Sequence, residues 1–527
     1  MAAKPQKGTR KTQTAAVEQP GPRRFWPIAG VFLIAAFFRF YNLDTVPPGL
    51  HHDEAIDAVD ALDAAYTGHH AIFYPANFGR EGLYINVESF VLSALGSENV
   101  QVWKVRCTSA LFGVLTVVGL FFLTRVLTRS DCTAGAAAFF AATSFWHIDA
   151  SRIATRAISS PFFLVWAIFF LLWGFAQNLK SSSRRGYAAI ALAGFLYGAG
   201  FHTYIPYRLT PILILGVLLW LAGNFRAAGR MRAWINGTAL FLAIAAAVVL
   251  PLALYFLQHP ATFSSRTSQV SVLNSPTVVT DVLGNIRKTL LMFNVSGDLE
   301  PRHNIPGRPE LFLPVGILFL CGVAWGIRRG LQRSVDFWPY ALCFLWAALA
   351  AVPPVLSNAG VPHALRSILM IPPCLMLAAL ATGELRRWLE VRYSRNLLLA
   401  ASAALALVIL VDTYTSYFDT FANDPRTQAG FQMKIADLAR EVAAAPLDAP
   451  KYILMVGEGL DANGNPQDFC GLALLSGGYS ARQRELRNLH FATTPQDAGR
   501  IAHLPGGPLI WVLREQQGVL QFFRLRN

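Results

Sequence analysis

Four acids and three arginines are the residues of this chain whose type and placement point to chemistry. Asp53 and Glu54 stand in Pro47-Pro48-Gly49-Leu50-His51-His52-Asp53-Glu54-Ala55. Glu81 follows in Phe78-Gly79-Arg80-Glu81-Gly82-Leu83, and Asp149 in His147-Ile148-Asp149. Arg156, Arg208 and Arg366 lie where apolar stretches begin or end, Arg156 and Arg366 near Pro161 and Pro362. A carboxylate can take a proton from a hydroxyl. Arginine grips phosphate through a fork of hydrogen bonds. Together the two residue classes suit a reaction at a phosphate resting on a membrane surface. Each has a blander reading. Asp53 can be a simple helix cap, and any one arginine can snorkel to the interface. His51 and His52 invite a metal. However, adjacent histidines do not chelate one ion easily, and no His-x-x-x-His helical pair is present.

These residues need elements to place them. Asp53 opens a run in which Ile56, Val59, Leu62 and Tyr66 are apolar, while Asp57 and Asp60 share its face. That spacing predicts an amphipathic helix capped by Asp53, lying along the membrane interface beside a first apolar segment. Asn77 and the aromatics Phe73, Tyr74 and Phe78 suit an interfacial belt or a sugar platform.

The 527 residues are 54% hydrophobic and only 14% charged. Soluble domains carry about 25% charged residues, so the composition is that of a polytopic membrane protein. A net charge of +14 can suggest nucleic acid, but the basic residues sit in short clusters between apolar segments. That is the pattern of topology, not of a nucleic-acid face. Six cysteines show no CxxC site and no disulfide framework.

Residues 1–24 read as a disordered basic cytoplasmic tail. Apolar segments follow from Phe25 to about Asn42 and near 105–124, 133–147, 159–177, 187–202, 208–223, 234–257, 311–327, 337–356, 365–382 and 397–413, eleven expected spans. The first, with no cleavage pattern after it, is a signal anchor. Arginine-rich loops at 125–129, 180–185, 226–232, 328–333 and 386–395 alternate with the others. The positive-inside rule puts them, with the N-terminus, in the cytoplasm. The Asp53 loop and the C-terminus then face outside, and all eleven histidines fall outside or near the outer interface. Beyond residue 415 the pattern changes. A helix over 434–442 and strands over 451–456, 509–513 and 519–525 predict a small extracytoplasmic α/β domain, 416–527. Without a clustered set of acids it reads as an accessory lid or acceptor module.

Taken together, the Pro-Pro-Gly-Leu-His-His-Asp-Glu-Ala run, Pro75-Ala76-Asn77-Phe78-Gly79-Arg80-Glu81, and Thr143-Ser144-Phe145-Trp146-His147 with Ser151-Arg152 resemble a family. They are similar to the bacterial branch of the polytopic glycosyltransferases that use polyprenyl-phosphate sugars. This GT-C superfamily includes protein O-mannosyltransferases and lipid A aminoarabinose transferases. The resemblance covers roughly 25–415 and is strongest over 40–160. It implies a helical membrane fold with interfacial helices in the first outer loop and a lipid-linked donor. It also implies an acid in that loop acting as base, which falls on Asp53 with Glu54 beside it. Glu81 and Asp149 become secondary acids of the cavity. One departure is Gly79-Arg80-Glu81-Gly82-Leu83, where many relatives have Lys-Pro-Pro-Leu. It bears on sugar and acceptor identity.

The resulting expectation is an inverting, metal-independent glycosyltransferase on the outer face of a bacterial inner membrane. It moves a monosaccharide from polyprenyl phosphate to a hydroxyl of a lipid, glycan or protein. Asp53 is the base, and Arg156, Arg208 and Arg366 are the donor-phosphate candidates. No cofactor is expected, with a divalent metal as the open alternative. A flippase for lipid-linked sugars would instead require charges within the spans and pseudo-symmetric halves. A non-catalytic sensor would tolerate loss of the Asp53 cluster.

Overall fold

The computed structural model describes residues 26–97, 100–269, 271–358, 360–455, 469–492, 496, 500, 501, 508–516 and 519–525. The basic tail 1–24 and residue 456, the end of the expected strand 451–456, lie outside the described residues.

Every one of the eleven apolar stretches forms a helix. The first, α1, is Trp26–Phe40. The others are Val102–Thr128, Asp131–Thr143, Ser159–Lys180, Arg184–Gly200, Thr210–Ala227, Met231–Gln258, Leu313–Leu331, Trp338–Val355, Ile371–Glu390 and Arg395–Tyr414. Eight are long and apolar enough to cross a membrane. α1 and the helices 131–143 and 184–200 have 15, 13 and 17 residues. These fall short of the roughly 20 that cross a hydrocarbon core. The expected eleven spans thus become eight full-length helices and three shorter ones, in a multi-pass membrane protein. Ser130, Ser144, Ser183 and Ser394 each start a helix by accepting a hydrogen bond from the amide three residues on. The helices 159–180 and 184–200 touch through Gly174 and Gly186, where an added Cβ would strike the Gly186 carbonyl and the Asn178 side chain respectively.

The arginine-rich loops gather at one end. Arg230 bonds the Leu179 carbonyl and Ser182, and Glu384 holds Arg329 and Arg387.

The opposite end carries the loop between α1 and the helix 102–128. It folds as α2 (His52–Thr67), β1 (Phe73–Tyr74), β2 (Arg80–Glu81) and α3 (Leu83–Leu95). α2 buries Ala55, Ala58, Ala61 and Leu62 in a core shared with Tyr84, Ile85 and Leu92 of α3. β1 and β2 are antiparallel, with Phe73 opposite Glu81 and Tyr74 opposite Arg80. Because successive strand side chains alternate, Arg80 and Glu81 point to opposite faces. Arg80 reaches back to Asp57 and Asp60 of α2. Glu81 turns the other way.

The C-terminal unit has a sheet ordered β4-β3-β5-β6, built from β3 (Lys451–Met455), β4 (Leu489–Ala492), β5 (Leu509–Gln516) and β6 (Val519–Leu525). β3 pairs in parallel with β4 and β5, and β6 closes the edge antiparallel. The helix Met433–Ala444 lays Ile435, Leu438 and Val442 on Ile453, Met455 and Trp511. This unit also walls α2. Gly471, on the helix Phe469–Leu475, sits against Ala55 and the Leu50 carbonyl, and Leu474 joins the core of α2. Gly49, at φ +80°, lies beneath the Phe431 carbonyl, where a side chain would collide.

Candidate active site

α2 begins with a capping box. His51, not Asp53, is the N-cap: its Nδ1 accepts the Asp53 amide at 3.1 Å. Glu54 reaches back to the His51 amide at 3.0 Å. Asp53 is therefore released from capping, which corrects the role expected for it from its position before the apolar run.

The two adjacent acids point into different surroundings. Glu54 is buried and its oxygens are fully engaged. Oε1 accepts from Arg106 Nε at 3.0 Å and the Ala154 amide at 2.8 Å; Oε2 accepts from Arg106 Nη2 at 3.1 Å as well as the His51 amide. Arg106 spends its remaining donors on the Pro47 and Gly49 carbonyls at 2.7 and 2.9 Å. With no lone pair toward solvent, Glu54 is a structural clamp joining the loop to the helix 102–128.

Asp53 is half-exposed, with 51% of its side chain open to solvent. Asn77 donates to Oδ1 at 2.6 Å, while Arg302 Nη1 stands 3.7 Å from Oδ2. Asn77 can aim there because its backbone is left-handed, φ +48°, followed by Phe78 and Gly79 also at positive φ. Three left-handed residues in a row are costly and mark a loop shaped around one contact. Burial of its surroundings alone would push the Asp53 carboxyl up. His51, His52, Asn77 and Arg302 outweigh it and hold the carboxyl down at about 2. His51 lies under Arg302, whose Nη1 is 2.7 Å from its Nε2. Burial, then Arg302, holds that imidazole well below its ordinary value, so it is neutral at pH 7.

Glu81 forms the second group. Its Oε1 accepts from Arg208 Nη2 at 3.1 Å, and its Oε2 stands 3.6 Å from Arg156 Nε without a hydrogen bond. Arg208 also bonds the Phe263 carbonyl at 3.0 Å and stacks on the Phe263 ring. Two arginines share one carboxylate here, and Arg156 keeps its Nε without a hydrogen bond. Asp57 links the groups electrostatically. Burial raises its carboxyl, Arg80 and Arg156 oppose that, and Asp53 adds to the rise.

The remaining sequence candidates lie elsewhere. Asp149 is buried in the helix Phe145–Arg152 and accepts from Tyr417 Oη at 3.2 Å. It belongs to an aromatic collar of Phe38, Phe145, Tyr417 and Phe421, not to the cavity as expected. Arg152 holds the Phe38 and Val46 carbonyls at 2.9 and 2.7 Å and is structural. Arg366 bonds Ser357 in the segment after helix 338–355, apart from the Arg156–Arg208 pair that shares Glu81.

Sequence reasoning missed Arg106 and Arg302. Arg106 is a charge just inside an apolar stretch, which could have been flagged as a buried partner. Arg302 carried no local signal. His51, His52 and Asp53 do converge, with one donor atom of each within 4.8 Å of the others. Arg302 already occupies that face as a cation.

Residues 86–265 match the family model for dolichyl-phosphate-mannose-protein mannosyltransferases. The structure is similar to ArnT from Cupriavidus metallidurans bound to undecaprenyl phosphate, at 15% identity and TM-score 0.55, over 93% of this chain and 94% of that one. It is equally similar to the Archaeoglobus fulgidus oligosaccharyltransferase in complex with zinc and sulfate, at 15% identity and TM-score 0.55. There the match covers 89% of this chain, which spans only 62% of the length of that protein. No curated protein matches the sequence. The fold is that of the GT-C glycosyltransferases, as the sequence resemblance implied.

Proposed function

We propose that this protein is a membrane glycosyltransferase that moves a monosaccharide from a polyprenyl-phosphate donor to an acceptor hydroxyl, with inversion. The observation that carries the reading is the pairing of two sites in the outer loops. One is an ionised, half-exposed Asp53. The other is a carboxylate shared by Arg156 and Arg208. The mannosyltransferase match and the undecaprenyl phosphate bound by the similar ArnT support a lipid-linked donor.

In this reaction the acceptor oxygen attacks the anomeric carbon as its proton passes to the Asp53 carboxylate. The bond from that carbon to the phosphate oxygen breaks, and its electron pair leaves on the polyprenyl phosphate. Arg156 and Arg208 stabilise the charge that develops there. Because Asp53 is half-exposed, it returns the proton to water. Asn77 and Arg302 keep the carboxylate ionised and aimed. No step needs a metal, since arginines supply the positive charge. The acceptor is a hydroxyl of a lipid, glycan or protein. The reaction lies on the outer face of a bacterial inner membrane, with the N-terminus in the cytoplasm.

The test incubates purified protein with a panel of labelled polyprenyl-phosphate monosaccharides and a membrane extract as acceptor. Mass analysis then finds what acquires sugar. Transfer from at least one donor, lost in Asp53→Asn, is expected. Transport of lipid-linked sugar across vesicles without any bond cleavage would overturn the reading.

A further inference from the structure

A second cluster of ligand-type side chains lies beside Arg302 and takes in its neighbour in sequence, His303. Asp298 and His303 are buried, and His363 is half-buried. One donor atom from each lies within 4.8 Å of the others, and the two imidazole rings lie tilted at 39° with centroids 4.9 Å apart. Asp298 Oδ2 accepts from His303 Nδ1 at 3.0 Å and from the Ala364 amide at 2.7 Å; Oδ1 accepts from the Glu300 amide at 2.9 Å.

The charge balance of this cluster is unusual. Asp298 is 1% exposed. Among the described residues its only ion-pair partner is His303, which is charged only when protonated. A second buried acid, Glu310, accepts the Asp298 amide at 3.0 Å. Buried carboxylates are normally balanced by a permanent cation, because an unbalanced one is costly. The arginine next in sequence, Arg302, is turned away onto Glu300, His51 and Asp53.

We propose that Asp298, His303 and His363 form a zinc-class metal site that pins the outer loop 298–312 to segment 361–367 and so fixes Arg302 beside Asp53. Two imidazoles and one carboxylate are donors suited to zinc, whereas calcium and magnesium take mostly oxygen ligands. Three protein ligands leave a fourth position for water. Around zinc at 2.0–2.1 Å, neighbouring ligand atoms stand about 3.3–3.4 Å apart. The His303–Asp298 pair at 3.0 Å is already near that spacing, and side-chain rotation closes the rest. The proton on His303 Nδ1 is the one the metal displaces if it takes that nitrogen. His363 Nδ1 accepts a long hydrogen bond, 3.3 Å, from the Arg366 amide, and a metal on either ring nitrogen opens that contact. The site is structural: its effect on the reaction runs through Arg302.

The test uses the full chain in detergent, stripped with a chelator and reloaded with Zn2+ alone or Co2+ alone. The parent should take one equivalent of zinc, show visible Co2+ absorption, and unfold at a higher temperature with zinc. His303→Ala and His363→Ala should lose the metal and the thermal shift, while His52→Ala keeps both. His363→Cys should retain the metal and add a thiolate-to-cobalt charge-transfer band. That band reports on His363 even where an alanine variant fails to fold, and its absence would overturn the assignment. So would a parent that takes up no stoichiometric metal, or loss of the metal in His52→Ala with both alanine variants still loaded.

Discussion

Glu54 and Glu81 are both buried acids in the loop between α1 and the helix 102–128, and both face arginine, yet their surroundings differ in kind. Glu54 and Arg106 satisfy each other and the local backbone, with contacts of 2.7–3.1 Å. Around Glu81 the geometry is loose: Arg156 Nε stands 3.6 Å away, and both that nitrogen and Glu81 Oε2 lack a hydrogen bond. Saturated charge resists change and holds a fold together. An arginine with unused hydrogen-bonding capacity can still take an anion. The same residue types thus separate into scaffold and site by whether their hydrogen-bonding capacity is already used. Asp53 falls on the side of the site, since its carboxylate is half-exposed.

Asp53→Asn tests that division most sharply. The amide keeps the shape and removes the basic oxygen. Transfer should fall by about 10²–10⁴-fold, the usual span for a general base, with donor binding unchanged and a smaller loss of thermal stability, because the ionised carboxyl held at about 2 also stabilises the fold. Near-parental turnover in Asp53→Asn would take this acid out of the chemistry.

Arg106→Ala should do the opposite. It strands a buried Glu54 and frees two loop carbonyls, at a cost of about 3–5 kcal/mol. Thermal unfolding in detergent should show the loss, and donor affinity of the remaining folded protein should hold. If Arg106→Ala stays as stable as the parent while turnover collapses, the clamp belongs to the site after all.

The division was only partly legible in the sequence. Apolar runs with arginine-rich connections fixed all the long helices, because burial in lipid imposes length and polarity whatever the detailed packing. The short apolar runs at Lys451–Met455, Leu509–Leu513 and Val519–Leu525 likewise gave three strands, whereas β4, with His490 in its short run, was not anticipated. Position alone could not tell Asp53 from a cap, because the cap came from His51, an uncommon residue in that role. Asp149 read as a cavity acid because a one-dimensional reading places it at an outer span end. Its burial against Tyr417 comes from residues 268 positions away. The same holds for Arg302, 251 positions from His51. Contacts at that separation depend on how helices cross, which local pattern does not encode. The C-terminal unit was legible as α/β but not as a wall of α2.

Arg208→Ala and Arg156→Ala probe the unsaturated side. On the proposed reading each removes a charge-assisted contact with the donor phosphate, worth about 1.5–3 kcal/mol. Donor affinity should fall about 10–150-fold, and more for Arg208, whose stacking on Phe263 also preorganises it. Arg366→Ala, anchored on Ser357, should change affinity less than either. Equal affinity in the Arg156 and Arg208 variants would leave the phosphate site unassigned and undo the contrast with Glu54.

The smallest effect concerns pH and separates holding Asp53 ionised from using it. In the fold its carboxyl is held at about 2, below the ordinary carboxylate value of about 3.9. A depressed acid keeps its ionised form, and the stability tied to it, at all pH above the ordinary value. Both are lost only as pH falls through the folded value. The Asp53 contribution to kcat/KM should therefore stay flat from pH 7 to pH 4. Arg302 is one of four groups that lower the carboxyl. In Arg302→Gln the acid limb should move upward. If the carboxyl returned fully to about 3.9, roughly half of it would be protonated at pH 4. Turnover at pH 4 relative to pH 7 should then fall by up to about twofold in the variant and stay level in the parent. At pH 7 both carry an ionised Asp53, so any loss there measures positioning by Arg302 rather than charge. An acid limb at the same pH in both proteins would show that Arg302 does not set the ionisation of Asp53, leaving His51, His52 and Asn77 to do so.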